Sequence, residues 1–248
     1  MKRILVSNDD GVSAPGLEAL VGALAPLAEV IVMAPLTEQS ASSHALTLRH
    51  PLRVRTIAPG RMAVDGTPTD CVLLALKEFL PEPPHLVVSG INQGPNMGED
   101  VIYSGTVAAA MEGAILGVPS MAVSLASWSF PDFRGAAEVS ARLVARLLES
   151  RLPERFLLNV NIPPVPAEEI RGLRATRLGT RVYHDVIVKK MDPRGRDYYW
   201  IGGGEPTWVS SPGSDFAAVA EGFVSVTPLL IDLTDAGQLE FLESLDLR

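Results

Sequence analysis

Residues 4–34 read ILVSNDDGVSAPGLEALVGALAPLAEVIVMA, and this stretch decides the fold. Ile4-Leu5-Val6-Ser7 has the length and apolarity of a short buried strand. Asn8-Asp9-Asp10-Gly11 is turn chemistry. Pro15 suits the first turn of a helix, and Leu17, Leu20, Val21, Leu24 and Leu27 carry its apolar face. Residues 29–34 form a second apolar strand, stopped by Pro35. Strands that are apolar throughout, not alternating, belong to a parallel sheet covered by helices on both faces.

Working outward, the unit repeats. Thr67-Pro68-Thr69-Asp70 has the form of a capping box and opens a helix to about Leu80. Residues 85–89 read as a strand, 90–104 as a long Gly-rich loop, and 105–116 as a helix of small residues. Residues 120–125 are a strand, 136–148 a helix and 156–162 a strand. Such repetition predicts an α/β fold, a doubly wound, mostly parallel, Rossmann-like three-layer sheet. Past Pro164 the texture changes. Residues 171–181, 182–190 and 198–201 alternate apolar and polar residues between Gly and Pro, the pattern of antiparallel hairpins. A short helix at 215–221, a strand at 223–227 and a closing helix at 234–245 follow. The division expected is an α/β catalytic core over 1–164. Residues 165–248 then form a C-terminal antiparallel β-hairpin arm and tail within the same domain, suited to oligomer contacts.

Composition narrows the function. Of 248 residues, 47% are hydrophobic and 20% charged, a globular balance that excludes a disordered chain. Acidic residues outnumber basic ones, 29 to 21, giving a net charge of −8 that repels nucleic-acid polymers. The single cysteine, Cys71, lies in an apolar helical run, which fits a buried thiol and a reducing compartment. The start, Met1-Lys2-Arg3 followed by a three-residue apolar stretch, is no signal peptide, and no window is long and apolar enough to span a membrane. A cytoplasmic protein without membrane partners is expected.

Four polar segments lie at the carboxyl ends of predicted strands or at a helix start, the edge where open parallel sheets bind ligands. Asp9 and Asp10 repel each other, and a divalent cation removes that conflict through oxygen coordination; alone, the segment is also an ordinary Asp-Gly turn. Residues 37–44 offer hydroxyls, among them Ser40, that can complete an oxygen shell, or form a plain Ser-rich loop. In residues 89–98, SGINQGPNMG, the glycines allow close approach to a ligand, and Asn92 and Asn96 offer amide oxygens or donors. Ser104-Gly105-Thr106 opens the Ala-rich helix, where free N–H groups favour phosphate; Ser104 is equally a plain N-cap.

Absences matter too. The spacing matches neither a dinucleotide nor a Walker loop, and no nucleophile elbow, His-Glu-x-x-His or Cys-x-x-Cys motif occurs. His44 is placed to reach the site as a proton donor, while His50, His85 and His184 read as structural or surface residues. Tyr198, Tyr199 and Trp200 read as strand packing. Taken together, the four segments describe a hard-metal site facing a phosphate-binding helix terminus. That is the chemistry of a metal-dependent phosphomonoesterase.

At these residues the chain resembles the stationary-phase survival protein SurE family of metal-dependent nucleotidases. The matching segments are ILVSNDDG, APLTEQSASSHALTL, DGTPTDCVLLAL and SGINQGPNMGEDVIYSGTVAAAMEGAILGVPSMAVS, with LNVNIP and EGFVSVTPL further on. The likeness covers nearly the whole chain and is weakest from about residue 165 to 215. It implies hydrolysis of nucleoside 5′- and 3′-monophosphates to nucleoside and phosphate with Mg²⁺ or Mn²⁺, the cation held by Asp9, Asp10, Ser40 and Asn92. Asp9 and Asp10 are thereby the catalytic pair. Asn96, Ser104, Gly105 and Thr106 are implied to meet the phosphate. The residue before Ser-Gly-Thr is often His in the family and is Tyr103 here, so no proton donor is carried over to that position. Some members also cleave short polyphosphate, and the family forms homodimers or homotetramers through C-terminal exchange. A non-catalytic nucleotide or phosphate-binding module is the competing reading. The adjacent carboxylates speak against it, since an anion binder gains nothing from them without a metal.

Overall fold

The computed structural model describes residues 1–182, 185–203, 207–209 and 211–245. In chain order, β1 (Arg3–Ser7), α1 (Pro15–Leu24), β2 (Glu29–Pro35), β3 (Val54–Ala58), β4 (Arg61–Val64), α2 (Pro68–Leu74), β5 (Leu86–Gln93) and α3 (Gly105–Ile115) come first. Then follow β6 (Ser120–Leu125), α4 (Arg134–Glu149), β7 (Leu157–Ile162), β8 (Leu173–Ala175), β9 (Arg181–Val182), β10 (Asp185–Met191) and β11 (Asp197–Gly203). The chain ends with β12 (Thr207–Trp208), α5 (Asp215–Ala220), β13 (Val224–Pro228) and α6 (Leu239–Ser244).

Nine strands make one sheet in the order β3-β4-β2-β1-β5-β6-β7-β13-β8. The pairs from β4 across to β7 are parallel, while β3 pairs antiparallel with β4 and β13 antiparallel with β7. The doubly wound three-layer expectation therefore holds. Its cause is visible in β1, where Ile4, Leu5 and Val6 are all fully buried. Ile4 and Val6 pack with Leu17, Leu20 and Leu24 of α1 and with Val139 and Val144 of α4; Leu5 packs on the opposite face with Cys71 and Val72 of α2. Alternate side chains of one strand thus feed two cores, as continuous apolarity requires.

After β1 the chain builds outward through β2 and β4; it then returns and builds the other way through β5, β6 and β7. The order reverses between β1 and β5, and the loops leaving those strands diverge there, opening a crevice. On the second face, α3 carries Gly and Ala toward the sheet. A Cβ at Gly113 would sit 2.4 Å from Ser120 Oγ and 2.8 Å from Val87 Cγ2, so α3 lies close against the strands.

Several sequence expectations are corrected. Residues 54–64 form a β-hairpin that the sequence reading passed over. The helix from Thr67 turns into a π-helical segment, Ala75–Phe79, before Leu80. The third strand does not end at Ser89. It runs to Gln93 across a register shift between Ser89 and Asn92, resuming as Asn92 opposite Ser124; the glycine at 90 marks a bulge, not a loop. Residues 173–175 are not part of the antiparallel arm but extend the main sheet, parallel to β13. The reason is that β13 reverses direction against β7 and leaves an open edge. The hairpin expected nearby exists as β10–β11, paired antiparallel from Asp185↔Gly203 to Met191↔Asp197. Tyr198, Tyr199 and Trp200 lie on it exposed, not packed. His184 falls outside the described residues.

The capping box is present. Thr67 Oγ1 accepts from Asp70 N (3.1 Å), and Asp70 Oδ2 accepts from Thr67 N (2.9 Å). The box also anchors the loop after β2, since Thr67 Oγ1 donates to Ala45 O (2.7 Å) and Asp70 Oδ1 accepts from Thr47 N (3.0 Å). Thr67→Ala is expected to cost about 1–2 kcal/mol, read as a lower midpoint in urea unfolding. An unchanged midpoint would show that the box does not support the fold.

Candidate metal and phosphate site

The tip of β1 turns sharply at Asn8, whose Nδ2 donates to Gly11 O (2.9 Å). This leaves Asp9 and Asp10 at the crevice. Asp9 is nearly sealed from water; its Oδ1 accepts the Thr106 hydroxyl from the first turn of α3, and its backbone carbonyl accepts from Gln39 N (2.8 Å). Asp10 Oδ2 accepts from Gln93 N (3.2 Å), at the end of β5. Each carboxylate is thus held from the neighbouring side of the reversal point, Asp9 by α3 and Asp10 by β5.

Burial pushes the Asp9 carboxyl above its ordinary value, opposed by the Thr106 bond. Burial, then repulsion from Asp9, holds Asp10 up at about 6. Glu38 adds negative charge to both. Two acids in this condition favour a positive partner.

Asp9, Ser40, Asn92, Asn96 and Ser104 line one cleft of about 550 Å³. Asp10, Glu38, Ser40 and Gln93 line an adjoining cleft of about 390 Å³. The fold therefore brings all four implied metal residues and two of the implied phosphate residues to these adjoining clefts. Asn92 Nδ2 donates to Gly94 O (2.8 Å), which turns that nitrogen inward. Ser40 is exposed, its hydroxyl donating to Glu38 Oε1 (2.7 Å). Among the described residues no three of His, Cys, Asp and Glu converge as a metal cluster. The donor set is two carboxylates with a neutral amide and a hydroxyl. All the donors are hard oxygens, and they suit Mg²⁺ or Mn²⁺.

The helix end is built to meet Asp9. Ser104 Oγ accepts from Val107 N (3.1 Å), so it is an N-cap whose O–H remains available to donate. Gly105 packs against the acid: a Cβ there would lie 2.9 Å from Asp9 Cβ and 2.7 Å from Ser42 Oγ. Thr106 is fully buried, with its hydroxyl on Asp9.

Asn96 is fixed from below. Its carbonyl accepts from Asn159 Nδ2 (2.7 Å) and Asn161 Nδ2 (2.9 Å), its N–H donates to Asn161 Oδ1 (2.8 Å), and its Nδ2 donates to Ser124 Oγ (2.8 Å). The sequence reading missed these supports, although two asparagines alternating in an apolar strand, LNVNI, were their signal. It also missed Trp128 and Arg181, both of which line the Asp9 cleft. No local pattern marks either.

His44 does not line either cleft. Its Nε2 lies 2.8 Å from Glu112 Oε2 on α3, so it fastens the Ser40 loop to the helix. His85 Nδ1 accepts from Arg3 N (3.2 Å), a structural role. Cys71 is buried, and burial pushes its thiol well above the ordinary value, as its apolar setting suggested.

The comparisons with known proteins agree with this geometry. The family model described as survival protein SurE matches residues 4–185. A Geobacter sulfurreducens protein named 5′-nucleotidase SurE is 53% identical over 245 residues, covering 98% of this chain and 94% of its own. A Legionella pneumophila protein of the same name is 49% identical, with 98% and 96% covered. The crystal structure of the SurE protein from Aquifex aeolicus superposes with a TM-score of 0.89 at 44% identity, over 98% of this chain and 99% of that one.

The raised Asp10 gives a pH prediction for the metal-free protein. An acid whose folded value exceeds its ordinary 3.8 costs stability while it is ionised, and that cost disappears as it protonates. In chelator at pH 8, Asp10→Asn should melt at a higher temperature than wild type. The gap should close as pH falls through about 6 toward 4. A gap independent of pH would show that the Asp10 charge is not its source.

Proposed function

The chain belongs to the survival protein SurE family, and from that premise we propose that it is a 5′/3′-nucleotidase, releasing phosphate from nucleoside monophosphates with one divalent cation, Mg²⁺ or Mn²⁺. The observation that carries this is the meeting of Asp9 and Asp10 with the first turn of α3 at the strand-order reversal. An acidic pair beside a helix terminus has opposite uses for its two halves, cation and phosphate.

Asp9, Asp10, Ser40 and Asn92 are the proposed cation ligands. When bound there, the cation supplies Lewis-acid polarisation of the phosphoryl group and a water of lowered pKa. The rest of the work falls to the chain. Thr106 Oγ1 engages Asp9 through Oδ1 and so fixes how that carboxylate is held. The Gly105 amide, in the first turn of α3, is the backbone donor proposed to meet a phosphate oxygen, while the Thr106 backbone N–H is engaged with the Asp9 carboxylate. Ser104 donates its hydroxyl from the same turn. Asn96, immobilised by the β7 asparagines, offers the second hydrogen of its amide. Donors fixed before the substrate arrives need no reorganisation as charge develops, which is the source of their catalytic effect. Arg181, paired with Asp100 at the cleft wall, adds positive charge in an otherwise acidic chain.

We further propose that residues 165–248, within the same domain, carry a homodimer or homotetramer contact. The β10–β11 ribbon exposes Ile187, Trp200 and Ile201, the last at 86%, and α6 exposes Phe241 and Leu242. Large apolar side chains left exposed together on a ribbon and a helix are what protein contacts cover. No helix among the described residues is long and apolar enough to cross a membrane, and the buried free Cys71 fits the cytoplasm.

Two measurements test these readings. Phosphate release from nucleoside monophosphates should require Mg²⁺ or Mn²⁺, stop with chelator, and fall at least about 100-fold in Asp9→Asn while its circular dichroism stays native. Full turnover in Asp9→Asn would remove the metal assignment. Light scattering should give a dimer or tetramer for the wild type and smaller species for Ile201→Glu; a wild-type monomer would end the arm proposal.

A further inference from the structure

Trp128 stands out as a large apolar side chain left 70% exposed beside a polar site. It sits on the loop after β6, at the carboxyl edge of the sheet, and it lines both the Asp9 cleft and the adjoining Asp10 cleft. Its exposure is not slackness, because three features hold it. Gln93 Nε2 donates to Ser127 O (2.5 Å) and Phe130 O (3.2 Å), gripping the loop on both sides of the indole. Ser127 Oγ accepts from Ser129 N (3.2 Å) and Phe130 N (3.1 Å), tightening the turn between them. The third feature is the bare backbone of Gly94, at φ +124°. A Cβ there would lie 2.4–2.6 Å from Trp128 ring atoms, so the indole rests where only glycine leaves room.

The same Gln93 gives its backbone N–H to Asp10. One residue therefore ties the acidic pair to the indole, fixing the distance between the place where phosphate is handled and an apolar plane. A second aromatic, Tyr103, lines the cleft at 58% exposure, immediately before Ser104. A cleft of about 550 Å³ is in the range that takes a small ligand. An aromatic face held open at one side of a phosphate site suits a planar ring joined to that phosphate by a short linker.

We propose that Trp128 is the specificity-determining surface on which the nucleobase of the substrate stacks, and that Gln93 is its positioning residue. This rests on the nucleotidase reading and deepens it: the cleft selects phosphomonoesters that carry a base over those that do not. Stacking on an aromatic face is tolerant of base identity, so the preference is for a base as such, not for one base.

The test compares adenosine 5′-monophosphate with ribose 5-phosphate, the same sugar and phosphate without the base, using the full chain with Mn²⁺. In Trp128→Ala the ratio of the two kcat/KM values should fall about tenfold, through KM for the nucleotide and not through kcat. Trp128→Phe should restore most of the ratio. Gln93→Ala, which keeps the backbone bond to Asp10, should lower it less and again through KM. A readout without turnover is indole fluorescence in chelator: adenosine 5′-monophosphate should quench the wild type, and the quench should be absent in Trp128→Phe. A ratio that stays within about twofold in Trp128→Ala, or a quench that survives in Trp128→Phe, overturns the proposal. A wild type that releases phosphate from neither compound overturns the nucleotidase reading instead, and the quench still decides where the base lies.

Discussion

Two carboxylates on consecutive residues, held against each other in a place with little water, are the constraint to which the surrounding structure answers. Isolated in this way, Asp9 and Asp10 resist ionisation. The fold keeps them there from the β5 half of the sheet, with α3 supplying the Thr106 hydroxyl and β5 supplying the Gln93 amide. Both contacts exist only because strand order reverses between β1 and β5. A sheet wound in one direction would place a helix crossing over that gap.

The site's precision comes from beneath it. The turn carrying Asn96 takes its floor from β7, whose Asn159 and Asn161 make three bonds with Asn96, and from Ser124 of β6, which accepts a fourth. Asp215 performs a similar task at the next turn, accepting from the N–H groups of Gly98 and Gly179 at 2.8 Å each. That carboxylate joins the active loop to the root of the arm. Loop residues of the candidate site are thus referenced to rigid strands and a helix, which is the condition for fixed donors.

How much of this was legible in the sequence depended on whether the signal was local. The βα units, the Thr67 box and the strand-tip location of Asp9 and Asp10 follow from periodicity and turn chemistry, and all stand in the structure. The resemblance to the SurE family added the pairing of Ser40 and Asn92 with those acids, and the fold brings these residues to adjoining clefts. What escaped notice depends on contacts distant in sequence. Gly90 looked like the end of a strand because a bulge and a loop begin with the same residue; only the partner strand β6 shows that pairing resumes at Asn92. Residues 173–175 looked like an arm because alternation says nothing about which edge is free. The contact of His44 with Glu112 was not legible because its partner lies 68 residues away. Trp128 gave no periodic signal, since it stands alone on a turn.

The helix α3 is held down at two points where carbon atoms are missing. At Gly113 its backbone meets Val87 and Ser120, and eight residues earlier, about 12 Å along the axis, it meets Asp9 at Gly105. A rod seated at two points has a fixed tilt, so height and pitch at its tip are gauged by the absence of methyl groups and not by any bond made there. Enlarging the far seat at 113 would lever the tip at 105 away from Asp9 without touching a single polar atom of the candidate site, whose shape would change through leverage alone.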